Sequence, residues 1–173
     1  MDVFEAIETR RSFRVFTNEE VSEEEVQKLI DAARLAPSAG NIQPWEFVIV
    51  RDAKIKHKLS AAALNQTFIK EAPVVIVICA DEARSSRGYG NRGASLYCLQ
   101  DTAAAIQNML LAACALGLGT CWVGAFHEDE AAKGVNAPTG VRPVAIIPVG
   151  HPAKKPSAPP KRSMRNFVHH ETF

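Results

Sequence analysis

Several common site chemistries are missing from this sequence. It has no Cys-x-x-Cys pair: Cys79, Cys98, Cys114 and Cys121 stand apart, with no histidine at ligand spacing. That pattern argues against a zinc site or a thioredoxin-type dithiol, and no metal is expected. Charge of one sign is missing too. Twenty Lys and Arg against 19 Asp and Glu leave a net charge of +1, whereas general nucleic-acid binding shows as a strongly basic balance. No apolar run reaches the roughly 18–20 residues that span a bilayer, and the acidic, amphipathic start is unlike a signal peptide. His57, His127, His151, His169 and His170 form no triad or ligand set, and no paired carboxylates stand out. An enzyme built this way would need a cofactor to carry its chemistry. Three of the four cysteines sit in apolar runs as small hydrophobes, so a reduced, cytoplasmic protein is expected.

What is present suits one globular domain. The chain has 173 residues, 47% of them hydrophobic, enough for a sizeable core. Asp2 to Glu8 reads as a first helix with a capping box from Asp2 and Glu5. A second helix starts at Ser22 with Glu25, carries Val26, Leu29, Ile30 and Ala33 on one face, and stops before Pro37. "WEFVIV" (45–50) reads as a strand and residues 52–64 as a third helix. "APVVIVICA" (72–80) reads as a central strand buried on both faces. "DEARSSRGYGNRG" (81–93) reads as a mobile surface loop. "ASLYCLQDTAAAIQNMLLAACALG" (94–117) reads as a long helix, apolar all round, that forms a core axis or an oligomer interface. "GTCWVG" and "VRPVAIIPVG" read as further strands, with a short helix near 128–133 between them. From His151 the chain turns proline-rich and basic, while Phe167, Val168 and Phe173 suggest that it docks somewhere.

Four stretches could carry a site. In "GYGNRG", Gly88, Gly90 and Gly93 match G-x-G-x-x-G, but they lie some eight residues past a strand and lack the later acidic residue, so the dinucleotide fingerprint is not met. "ETRRSFRVF" has two readings. Its bases either complement a helix C-terminus or clamp a phosphate with guanidinium forks and the Ser12 hydroxyl. Phe13, Val15 and Phe16 make the segment half-buried, so its charge needs a partner. In "APSAGNIQPWEF" (36–47), Pro37, Gly40 and Pro44 fix a turn from which Ser38, Asn41 and Gln43 offer polar groups. In "LGLGTCWVG" (116–124) the glycines either let a flat ligand approach the backbone or cap a helix ahead of a buried strand.

Taken in order, "RRSFRVF", "APSAGNIQPWEFVIV", "EAPVVIVICAD", "DTAAAIQNMLLAACALGLGTCWVGAF" and the closing "GHPAKKP…KRSM…FVHHE" resemble the nitroreductase family of FMN-dependent oxidoreductases over nearly the whole chain. The resemblance implies an α+β fold, a three-layer sandwich with a central mixed sheet flanked by helices. It implies one FMN-binding domain over residues 1–150 and a domain-exchanged tail, 151–173, packed on the partner of a homodimer. FMN would lie at the subunit interface. Hydride would come from NADH or NADPH and pass to a nitroaromatic, a quinone or a similar flat acceptor by a ping-pong mechanism. No nucleic acid or membrane is implied.

Carried over residue by residue, the resemblance gives Arg10, Ser12 and Arg162 to the FMN phosphate. Arg11 and Arg14 would follow the ribityl chain and the pyrimidine edge. Pro37, Ser38, Asn41 and Gln43 would reach the ring from the partner. Thr120, Cys121, Trp122, Val123 and Gly124 would line its other face, with a backbone N–H near Gly124 at N5. No side chain is given a catalytic role. The chain is short for the family, so a lid must come from residues 83–93 or from "NQTF". Specialised flavin chemistry such as reductive dehalogenation, a flavin-binding redox sensor and a basic-tailed interaction module are the rival readings.

Overall fold

The computed structural model describes residues 1–173. Helix α1 (Val3–Thr9) opens where the Asp2 side chain accepts the Glu5 N–H at 2.9 Å, which is half of the expected capping box. Its Val3, Phe4 and Ile7 are exposed, and only Ala6 is buried. Helix α2 (Glu23–Arg34) has the full box, with Ser22 and Glu25 bonding reciprocally, and buries Val26, Leu29 and Ala33. Strand β1 (Trp45–Val50), helices α3 (Ala53–Ala62) and α4 (Phe68–Glu71), and strand β2 (Val74–Asp81) follow.

The expected loop at 81–93 is instead helix α5 (Glu82–Arg92). Asp81 supplies the start signal, its carboxylate accepting the Arg84 N–H at 2.8 Å as an N-cap does. The glycines act only at the far end, where Gly90 takes φ 55° and kinks the helix. A π-helical turn over Gly93–Tyr97 leads into helix α6 (Cys98–Ala115), so the α-helix itself is shorter than the apolar run suggested. "GTCWVG" yields only the two-residue strand β3 (Gly119–Thr120) and a lone bridge from Val123 to Ile146. Helix α7 (Glu128–Val135) and strand β4 (Val141–Gly150) complete the domain.

The four strands lie in the order β1-β2-β4-β3, and every pairing among them is antiparallel. The expected mixed sheet is thus corrected: the one parallel contact is an isolated bridge, Ser12 to Thr120. Strand β2 alternates strictly. Val74, Ile76 and Ile78 join α2 and α6 in one buried cluster, while Val75, Val77 and Cys79 join α3, α4 and α7 in the other. A strand buried on both faces between two helical layers gives the three-layer α+β sandwich.

After β4 the chain lies along residues 15–17. Thr17 N–H donates to the His151 carbonyl at 2.9 Å and Ala153 N–H to the Val15 carbonyl at 3.1 Å. Beyond this the tail has no strand or α-helix, only a 3-10 turn at Met164–Asn166, and Met164, Phe167, Val168 and Phe173 are exposed.

Candidate functional site

The arginine segment begins where α1 ends. Arg10 leaves the helix at φ −54°, ψ 132°, and the extended chain docks Ser12 beside Thr120. Phe13 N–H then donates to the Thr120 carbonyl at 2.8 Å. This docking points the basic residues into a cavity of about 470 Å³, within the range of small-molecule sites. Ile7, Glu8, Arg10, Arg11, Ser12 and Arg14 line one wall, and Pro156–Pro159 with Lys161 from the tail line another.

The guanidinium groups are used unequally. Arg11 donates to the Glu8 and Arg10 carbonyls at 2.6 and 2.8 Å, so it caps its own helix. Arg10 and Arg14 meet no carboxylate within ion-pair distance. Arg14 lies 5.8 Å from the centre of the Phe68 ring. Cys121 is buried close to this group. Burial pushes its thiol up, while Arg14, the Ser12 hydroxyl and Arg10 draw it back down. Two unneutralised guanidinium groups and a hydroxyl over one cavity fit a phosphate-bearing ligand, because Arg binds phosphate through paired N–H donors.

Thr120 and Cys121 lie beside the arginine segment, and most of the other expected residues stand farther off in the chain. Arg162 donates to the Asn166 carbonyl at 2.9 Å and lies over Phe167, so Lys161 and not Arg162 lines the cavity within one chain. The turn at 37–43 lines no part of it either. In that turn Ser38 Oγ accepts the Gln43 N–H at 3.0 Å, and Gln43 Nε2 donates to Asn41 Oδ1 at 3.1 Å. Asn41 and Gln43 sit at φ 55° and 54°, a left-handed conformation that non-glycine residues adopt at a cost. Pro37, Asn41 and Gln43 are exposed. Thr120 and Val123 are buried, whereas Trp122 and Gly124 are exposed.

Sequence reasoning missed three contributors. Arg84 Nε donates to the Ile42 carbonyl at 2.7 Å, which ties α5 to the turn. The Tyr89 hydroxyl packs on Gly40, where an added Cβ would stand 2.7 Å from it. Asp101 reaches the same turn from α6, its Oδ1 accepting the Ala39 N–H at 3.1 Å. Asp101 could have been noticed as the one charged residue of a mostly apolar helix. The two contacts from α5 were hidden when that segment was read as a loop. No group of three or more His, Cys, Asp or Glu could share a metal ion, and no helix is long and apolar enough to cross a membrane.

The Nitroreductase family model matches residues 7–67 and 60–151. A Methanothermobacter thermautotrophicus protein, provisionally named NADH dehydrogenase/NAD(P)H nitroreductase, is 38% identical over 160 residues, covering 90% of this chain and 80% of its own. The NADPH-type FMN reductase of Bacillus subtilis is 29% identical over 185 residues, covering 99% of this chain and 74% of its own. Among solved structures, NADPH:FMN oxidoreductase from Vibrio harveyi complexed with NAD+ superposes with a TM-score of 0.91 at 26% identity, covering 99% of this chain and 77% of that one.

Proposed function

This chain belongs to the nitroreductase family, and from that premise we propose that it is an FMN-dependent oxidoreductase that takes hydride from NAD(P)H and passes it to flat acceptors such as nitroaromatics and quinones. The observation that carries the reading is the pair of unneutralised guanidinium groups, Arg10 and Arg14, beside Ser12 over a cavity of about 470 Å³. Bound FMN would supply the two-electron chemistry that no side chain here offers.

The residues then have simple duties. Arg10 and Ser12 hold the phosphate, joined by a cation of the tail. Arg11 and Arg14 follow the ribityl chain and the pyrimidine edge, where a fixed positive charge favours the reduced, more negative ring. Thr120, Cys121, Trp122, Val123 and Gly124 form the wall behind it. Pro37, Ser38, Asn41 and Gln43 approach from a second subunit, which accounts for their distance from the cavity in one protomer. The homodimer is supported by the exposed apolar residues of α1, Phe4 at 76% exposure among them, and by the exposed Phe167, Val168 and Phe173. A tail over 151–173 that packs on the partner would cover both and would bring Arg162 to the partner's phosphate. The proposed compartment is the cytoplasm, which suits four free cysteines.

Reductive dehalogenation would need cations to recognise a zwitterionic substrate. Of the three arginines of α5, Arg84 is engaged by the Ile42 carbonyl and Arg92 by the Tyr97 hydroxyl at 3.0 Å, which leaves Arg87 as the one free cation there and favours the simpler acceptors. The test is spectroscopic. Purified protein mixed with FMN should hold stoichiometric flavin, lose its yellow absorbance on anaerobic addition of NADH or NADPH, and regain it with a quinone. Protein that retains no flavin in excess FMN would overturn the reading.

A further inference from the structure

Asp101 is 8% exposed, on a helix with no other acidic side chain. Burying a carboxylate is costly unless specific partners offset it. Here Oδ2 has no partner at all, and Oδ1 has one, the Ala39 N–H at 3.1 Å, 62 residues away in sequence. Burial pushes this carboxyl above its ordinary range and the Ala39 N–H draws it back. The polar group is therefore tolerated in the core for the sake of a single contact with the 37–43 turn.

That turn is bonded within itself, through Ser38, Asn41 and Gln43, and its contact with the body of the fold is what fixes its place. It holds Asn41 and Gln43 in left-handed geometry, a conformation that persists only where the surroundings enforce it. Its other outside contacts, from Arg84, Gly88 and Tyr89, are solvent-exposed and come from a helix that is itself kinked at Tyr89 and Gly90. Asp101 acts from the buried face of α6 and engages Ala39, the first residue of the 3-10 turn.

We infer that Asp101 is a positioning residue whose carboxylate latches the 37–43 turn to α6 and thereby sets where Ser38, Asn41 and Gln43 present their polar groups. The latch stands on geometry alone; its consequence for cofactor binding rests on the FMN reading above. Asp101→Asn keeps an acceptor for Ala39, whereas Asp101→Ala removes it. Ala39→Pro removes the donor and leaves Asp101 in place. Proline suits that position because Ser38 is already extended, at φ −143° and ψ 153°.

The first measurement is amide exchange of residues 41–43, whose N–H groups every variant keeps, in flavin-free protein. Asp101→Ala and Ala39→Pro should each exchange at least tenfold faster than the parent protein there, with β2 unchanged, and Asp101→Asn should exchange within threefold of it. Unchanged protection in Asp101→Ala overturns the latch, and so does a loss of protection spread equally over β2. Should Asp101→Ala fail to fold, Ala39→Pro decides by the same criteria. The second measurement is the FMN dissociation constant from fluorescence quenching. It should rise at least tenfold in Asp101→Ala and Ala39→Pro, and Asp101→Asn should restore it. Faster exchange with unaltered affinity would separate the turn from the cofactor site and overturn that half. A parent protein that binds no FMN would instead sink the functional reading and leave the exchange result to judge the latch.

Discussion

The backbone N–H of Phe13 donates to the carbonyl oxygen of Thr120 at 2.8 Å. This bond fastens the arginine segment, which has no strand of its own, to the end of the sheet. It leaves little room. A Cβ placed on Gly119 would stand 2.9 Å from Cγ of Phe13 and 3.0 Å from its Cβ. Packing and the proposed phosphate site therefore meet at one glycine whose role is steric, since its backbone is not left-handed.

Gly119→Ala should then act twice. Overpacking at a buried position costs about 1–3 kcal/mol, and a shift of Phe13 carries Ser12 and Arg14 with it. We expect a lower urea midpoint and at least a tenfold weaker FMN dissociation constant. Parental values for both would mean that Phe13 yields without moving the arginines.

Removing the free guanidinium groups should separate binding from folding. Arg10→Ala and Arg14→Ala each lose a charge-assisted contact worth about 1.5–3 kcal/mol, or roughly ten- to a hundredfold in FMN affinity. Neither breaks an ion pair within the chain, so the melting temperature should hold. Arg11→Ala should weaken binding less, because that side chain is already bonded to the Glu8 and Arg10 carbonyls. Titration by flavin fluorescence, paired with thermal melts, checks all three.

Much of this arrangement was legible in the residues. Ser22 and Glu25 announced α2, and the β-branched run at 74–80 announced a strand buried on both faces, because both signals are local. The arginine segment was legible as half-buried charge in need of a partner. What was hidden depended on distant contacts. Asp81 caps α5 ahead of a run rich in glycine and arginine, and the composition masked the cap. The 37–43 turn could be read as polar, but its anchor lies 62 residues away at Asp101. Likewise, no property of Lys161 or Arg162 alone says which of two neighbouring cations turns toward Arg10 in the protomer.

A pH effect should come from the other end of the sheet. Arg142 donates to both carboxylate oxygens of Glu128, at 2.7 and 2.8 Å, linking β4 to α7. The hydrogen bonds from Arg142 hold this carboxyl below its ordinary range. A native value below the unfolded one, about 4.3, adds stability above that pH and loses it as pH falls through the native value. Because the pair is partly exposed, Glu128→Gln should cost no more than about 1 kcal/mol at pH 7. The difference should shrink as pH drops below about 4. Urea unfolding of both proteins at pH 7 and at pH 3 gives the comparison, and an undiminished gap at low pH would reject the ion pair as its source.

Cutting the chain after Ala153 tests whether the tail serves the fold or the site. Both buried clusters end before it, at Val149 in one and Ile146 in the other. The backbone bonds from Thr17 to His151 and from Ala153 to Val15 would survive the cut. A protein lacking residues 154–173 should therefore keep its circular dichroism and melt within a few degrees of the parent. It would lose the Pro156–Pro159 wall and Lys161 of the cavity, along with the exposed Phe167, Val168 and Phe173 that we propose cover a partner. Sedimentation should show a weakened dimer, and FMN titration a loss of at least tenfold. A shortened chain that remains a tight dimer with parental FMN affinity would refute the wrapped tail and leave residues 1–153 as the whole of the binding unit.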